Sequence, residues 1–137
     1  RDLAKPMIYL NDVTEFKQIL SFASSGDIGK TAYPKLVVVC FKAVWCKSCQ
    51  AMEPKLLRLC REFYDDAVFF HCDIDVMQDK PLIKGMGVDT LPFYKFYSEG
   101  MMVESFAAGI KKVEMFIEKL NHYTSRTVDF KVYVDAQ

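Results

Sequence analysis

Two hydrophobic periods alternate along this chain, and the points where they switch mark its elements. Met7-Ile8-Tyr9-Leu10 is a short apolar run that suits a strand. Asn11 or Asp12 then stands where a helix is capped, ahead of Val13, Phe16, Ile19, Leu20 and Phe22 at helical spacing. The pattern fades over Ser24-Ser25-Gly26-Asp27-Ile28-Gly29, and Pro34 closes a loop. Leu36-Val37-Val38-Val39-Cys40-Phe41 is continuous, β-branched and short, which predicts a central strand buried on both faces. Residues 46 to 64 read as a long helix with Met52, Leu56, Leu57, Leu59, Cys60 and Phe63 on its apolar side, bent by Pro54.

Residues 67 to 74 form the next strand, and residues 76 to 86 suit one short helix ended by Gly85 and Gly87. Two strands, residues 93 to 97 and 101 to 107, flank the hairpin signal Ser98-Glu99-Gly100. Val113, Phe116, Ile117 and Leu120 mark a last helix. The order β-α-β-α-β-α-β-β-α predicts an α/β sandwich with helices on both faces of a mixed sheet. From Thr124 the pattern changes: residues 128 to 134 alternate apolar and polar, as in an added edge strand or a segment of a longer chain. We therefore expect one domain over residues 1–123 and a C-terminal extension over 124–137.

A chain of 137 residues, 51% of them apolar, has the size and composition of one folded domain. Eighteen basic and eighteen acidic residues cancel, so no strong field favours nucleic acid or an anionic membrane. No apolar run approaches the length of a membrane span. The chain begins at Arg1 rather than Met, which leads us to expect a fragment, or a mature product whose targeting segment is missing.

Cysteine changes the picture most. Of the five, only Cys46 and Cys49 have a spacing that suggests chemistry; Cys40, Cys60 and Cys72 sit in apolar patterns and read as small buried hydrophobes. Such free thiols suit a reducing interior, the cytoplasm or an organelle lumen. Cys46 follows a buried strand and opens a helix, where unpaired N–H groups and the helix dipole favour a thiolate. That placement lowers a thiol pKa from roughly 8.5 to about 7 or below, and the thiolate is the attacking species. Cys46 is then the nucleophile, and Cys49, one turn later, the thiol that resolves the mixed disulfide. Two other readings stay open at this point. The pair is also half of a zinc site, although no second Cys pair follows and His71 and His122 are remote. It is also compatible with a static disulfide or two inert thiols.

Several further positions together resemble the thioredoxin family. Trp45 precedes Cys46, Pro54 lies five residues past Cys49, Asp73-Ile74-Asp75 resembles the end of the family's third strand, and Thr90-Leu91-Pro92-Phe93 resembles its cis-proline loop. Gly100 matches the hairpin turn and Gly109 the glycine of the substrate groove. The likeness covers about residues 7 to 123. It implies the thioredoxin fold, a three-layer α/β/α sandwich around a mixed sheet. It also implies a protein-disulfide oxidoreductase with Trp45, Leu91, Pro92 and Gly109 at the substrate. No cofactor beyond the two cysteines and no metal is expected; a thioredoxin reductase or another thiol donor would supply electrons.

Departures from the family pattern bear on the chemistry. Lys47-Ser48 replaces the usual Gly-Pro, putting a cation beside Cys46 that should favour its thiolate and make the disulfide more oxidising. Cys40 stands where many thioredoxins bury an aspartate beneath the resolving cysteine; its own pKa should rise, or it pairs with Cys49 in an alternative disulfide. Lys42 replaces a second tryptophan and reads as a solvated strand-end lysine, with a role in tuning the thiolate as the alternative. These departures leave a second function open, a binding or assembly module with marginal redox activity.

Overall fold

The computed structural model describes residues 3–25, 34, 36–77 and 79–134. Its elements run β1 (Met7–Tyr9), α1 (Val13–Ser25), β2 (Leu36–Lys42), α2 (Lys47–Glu62), β3 (Ala67–Asp73), α3 (Ile74–Met77), α4 (Lys80–Gly85), β4 (Phe93–Ser98) and β5 (Met101–Ala107). A 3-10 turn (Ile110–Lys112), α5 (Val113–Tyr123) and α6 (Lys131–Val134) complete the chain. The strands form one sheet in the order β1-β3-β2-β4-β5. β1 and β2 run parallel to β3, while β4 lies antiparallel to both β2 and β5.

Alternation along β2 explains the layers. Leu36, Val38 and Cys40 share a core with Met52, Leu56 and Leu59 of α2 and with Phe116, Ile117 and Leu120 of α5. Val37, Val39 and Phe41 point the other way, into a second core with Phe16 and Ile19 of α1 and Ile83 of α4. The central strand is therefore buried on both faces, which is why its sequence is apolar without interruption. Helices thus cover both faces of the mixed sheet, giving the three-layer α/β/α sandwich that the element order predicts.

At the start of α1, Asp12 Oδ1 accepts from Glu15 N at 2.8 Å, and Glu15 reaches back to Asn11 N at 2.9 Å. The helix runs to Ser25, past the point where its apolar pattern fades; the loop expected after it falls mostly outside the described residues. Between β4 and β5, Glu99 and Gly100 both have positive φ (51° and 82°), the twist a two-residue hairpin loop needs.

Two expectations need correction. The single helix over residues 76 to 86 is two short ones. Asp79 caps α4 by accepting from Leu82 N at 3.0 Å, and Pro81 is the second residue of that helix. A proline there has no N–H for a continuing helix, and its ring crowds the carbonyl four residues back. The second correction concerns residues 128 to 134, which do not add an edge strand. They end in α6, strapped across α2 and α5. Both backbone polar groups of Val128 are taken by the Asn121 side chain at 2.9 Å, so they are not free for a ladder. Arg58 donates to the carbonyl of Val132 at 3.2 Å and Lys55 to that of Tyr133. Tyr133 turns inward with its ring under the Arg58 guanidinium, while Val132, which an alternating strand would bury, is half exposed.

Candidate active site at the Cys46–Cys49 disulfide

β2 ends at Lys42, residues 43 to 46 turn the chain, and α2 starts at Lys47. Cys46 is the helix N-cap in extended conformation; its amide donates to Ala43 O at 3.2 Å. Its sulfur accepts from Cys49 N at 3.2 Å, so one of the helix's unpaired donors is spent on sulfur. Gln50 Nε2 donates to Val44 O at 2.7 Å and holds the turn. Cys46 and Cys49 are joined as a disulfide with Cα atoms 5.2 Å apart, and Cys49 thus pairs with Cys46 rather than Cys40. Ala43, Cys46 and Cys49 form a small buried cluster with Ile74 and Leu91 packed on it.

Two grooves flank this cluster. The first, about 320 Å³, is lined by Ser48, by Thr90, Leu91 and Pro92, and by residues 107 to 112. The Leu91–Pro92 peptide bond is cis. Gly109 has an ordinary extended φ of −82°, so its lack of a side chain answers a need for space; a Cβ there would lie 2.7 Å from Ser48 Oγ. Ser48, Leu91, Pro92 and Gly109 are thus brought to one wall beside the disulfide. The second groove, about 390 Å³, is lined by Trp45, Asp75, Ile83 and Lys84 among others. Trp45 is 64% exposed, yet its indole donates to Asp75 Oδ2 at 2.7 Å. Asp73 in turn accepts from Asp75 N at 2.9 Å, starting α3 and fixing that partner. Lys47 lies exposed on the first turn of α2.

Beneath α2 the surroundings differ from expectation. Cys40 is a fully buried free thiol, pushed up to about 12 by burial, with the Lys42 cation opposing and the Glu53 carboxylate adding. Burial likewise raises Cys72 to about 12, and it raises Cys60. Lys42 is not a solvated strand-end lysine. It is 2% exposed and ion-paired with Glu53, one turn after Cys49 on α2, and its ammonium lies 3.7 Å from Met7 Sδ. The reason is its place in the strand: Lys42 falls two residues after Cys40, on the face that α2 covers. His71 pairs with Cys40 across the β2–β3 ladder and stacks against Tyr9, with ring centroids 4.4 Å apart. Burial, then Lys42, lowers His71 to about 4, so its imidazole is neutral at neutral pH.

Glu53 and Asp75 had no place in the site as read from sequence, while Lys42 and His71 entered that reading only as alternatives, a thiolate-tuning lysine and a remote zinc ligand. One signal was available for Glu53, which interrupts the apolar stripe of Cys49, Met52, Leu56 and Cys60 on α2. For His71 and Asp75 the signal lies in strand register and loop contacts, which sequence does not carry.

The family model for thioredoxin matches residues 27–122. The chain is 34% identical to thioredoxin-like 2-2, chloroplastic, of Arabidopsis thaliana, over 83% of its own length and 44% of that protein's. It is 38% identical to thioredoxin of Gallus gallus, over 66% of its own length and 85% of that relative's. Among solved structures, spinach chloroplast thioredoxin f superposes with a TM-score of 0.66 at 26% identity, covering 85% of each chain. With that match, its fold, its exposed Trp45 and its N-capping cysteine, the chain belongs to the thioredoxin family. It is a thiol–disulfide oxidoreductase.

Proposed function

We propose that this chain exchanges disulfides with protein substrates, Cys46 attacking and Cys49 resolving. The observation that carries the assignment of roles is the hydrogen bond from Cys49 N to Cys46 Sγ at the start of α2. It marks Cys46 as the sulfur on which the helix N-terminus stabilises negative charge. Lys47 and Ser48 tune that sulfur from outside. Cys40, held protonated by its apolar surroundings, takes no proton from Cys49. The substrate lies in extended form along Leu91 and Pro92, with Trp45 and Gly109 at the two sides. The exposed apolar side chains of Val44, Trp45, Val76 and Ile110 favour a polypeptide over a small thiol. Residues 1–123 carry the exchange, and the segment from 124 onward braces α2. Electrons come from a thioredoxin reductase or another thiol donor, in a reducing compartment, cytoplasm or organelle lumen, that keeps three core thiols free.

Trapping tests this directly. Cys49→Ser should accumulate a mixed disulfide between Cys46 and a protein substrate, and Cys46→Ser should abolish both reduction and trapping. If the wild type does not reduce protein disulfides and Cys49→Ser traps nothing, the chain is a binding or assembly module instead.

A further inference from the structure

A third cavity, of about 250 Å³, shares no lining residue with either groove and is lined by Lys42, Cys49, Glu53, His71 and Asp73 among others. It is an unusual place for a lysine. Lys42 is 2% exposed and its charge is met by Glu53, whose side chain is 29% exposed. A buried ion pair costs desolvation and is weak evidence of a stabilising device. Its position next to the second active-site sulfur gives it another use.

We infer that Lys42 and Glu53 are the proton-accepting counterion pair of Cys49: Glu53 takes the thiol proton when resolution begins, and the new thiolate replaces the carboxylate as the countercharge of Lys42. The inference rests on the exchange reading above. The physical reason is charge conservation in a poorly hydrated space. Deprotonating Cys49 alone would create a second buried anion, which desolvation opposes. Moving the proton to Glu53 leaves Lys42, Glu53 and Cys49 together with one cation and one anion before and after. Glu53 is four residues beyond Cys49, on the same side of α2, and the cavity that both line, where Lys42, Gln50 and Asp73 supply polar groups, is large enough for a bridging water.

Other groups facing Glu53 do not compete. From β2, Cys40 stays protonated, and from β3, His71 would have to become a buried cation facing Lys42, which burial and that ammonium both oppose. From β1, the Tyr9 phenol is raised by burial and then by Glu53 itself. Burial also raises Tyr94 on β4 and Cys60 on α2. Asp73 on β3 is engaged as an acceptor for the amides of Asp75 and Val76. Among the described residues, Lys42 and Glu53 are therefore the pair able to trade a charge with Cys49.

The step balances. In the mixed disulfide Cys46–S–S–R, the Cys49 proton passes to Glu53 and the Cys49 sulfur attacks Cys46 Sγ. The Cys46–Cys49 bond forms, the bond to RS breaks, and RS⁻ leaves with its electron pair. Glu53 then returns the proton to solvent or to the leaving thiolate. Two electrons have moved from the two thiols to the substrate disulfide.

The test uses the reduced full chain and a symmetrical nitroaromatic disulfide whose released thiolate is coloured. The first thiolate reports attack by Cys46, and the second reports resolution by Cys49. Glu53→Gln should leave the first release unchanged and slow the second by roughly tenfold to a hundredfold, the scale of a lost general base. That deficit should close as pH rises through the thiol range near roughly 8.5, where solvent takes the proton unaided. Glu53→Asp should recover part of the rate. Should Glu53→Gln fold poorly, Lys42→Met/Glu53→Met removes both charges and folds, because apolar replacement of a buried pair is tolerated; its second release should also be slow. Second release at the wild-type rate in Glu53→Gln, or in the double variant, overturns the assignment while leaving exchange intact. A wild type that releases no thiolate overturns both.

Discussion

Lys47 is exposed and Lys42 is buried near the same disulfide, and those surroundings predict different consequences for the two. Lys47 is exposed on the first turn of α2, so its field should reach Cys46 through solvent and favour the thiolate only modestly. A stabilised thiolate leaves more readily, and the disulfide becomes a stronger oxidant. We expect a reduction potential less negative than the roughly −270 mV typical of thioredoxin, moved down by Lys47→Glu. A glutathione redox titration giving that value or lower would show Lys47-Ser48 to be neutral substitutions. Lys42 is buried, so its pair governs stability as well. Glu53→Ala strands a cation with no access to water and should cost about 3–5 kcal/mol in urea unfolding. Lys42→Met leaves a carboxylate that is already partly open to solvent and should cost clearly less. Equal losses would mean that Lys42 finds water when its partner goes.

α2 carries the chemistry at its first turn and is braced along its length by an element the family model does not reach. Its match ends at residue 122, yet Tyr133 is 2% exposed in the core beside α2. An Arg126–Glu62 ion pair at 2.8 Å and the Ser125–Asp66 hydrogen bond at 2.9 Å fasten the approach to α6. We expect Tyr133→Ala, or truncation after Tyr123, to lower stability by about 3 kcal/mol, close to the cost of losing one buried aromatic ring. Thermal melts with and without the segment measure it, and an unchanged Tm would show the strap to be loosely held. This segment also shows why its element type was hard to read. Phe130, Tyr133 and Val134 have helical spacing, while Val128, Phe130, Val132 and Val134 have strand spacing. Over so few residues both periods fit, and the side chains of Asn121, Lys55 and Arg58 decide between them.

Across the whole molecule, equal numbers of acids and bases leave no net charge, so acid sensitivity depends on particular buried groups. His71 is the clearest. Its folded pKa is depressed from 6.5 to about 4, chiefly by burial, so the folded state takes up its proton later than the unfolded chain. Above about pH 6.5 both states are neutral at this position and nothing is lost. As pH falls below that value the unfolded chain protonates first and stability declines. The decline from this residue ends near pH 4, where the folded protein protonates too. Urea midpoints between pH 7 and pH 4 (approximate limits) should therefore drop, and His71→Gln should flatten the slope. An identical slope in the variant would assign the acid sensitivity elsewhere.

The sequence by itself determined the element order, the buried central strand and the Cys46–Cys49 site. Each is written in a local signal: a period of two or of 3.6, a capping residue, or a cysteine spacing at a strand-to-helix junction. Tertiary structure alone decided what surrounds the resolving sulfur. Lys42 looks like a solvated strand end until strand alternation and the covering helix turn it inward, onto Glu53. His71 faces Cys40 only because β2 and β3 pair in one parallel register, and a slip by one residue would send each of them to the other face. Charge on a lone residue is visible in sequence; burial and partnership depend on long-range packing, and here those make a surface-like lysine part of the site.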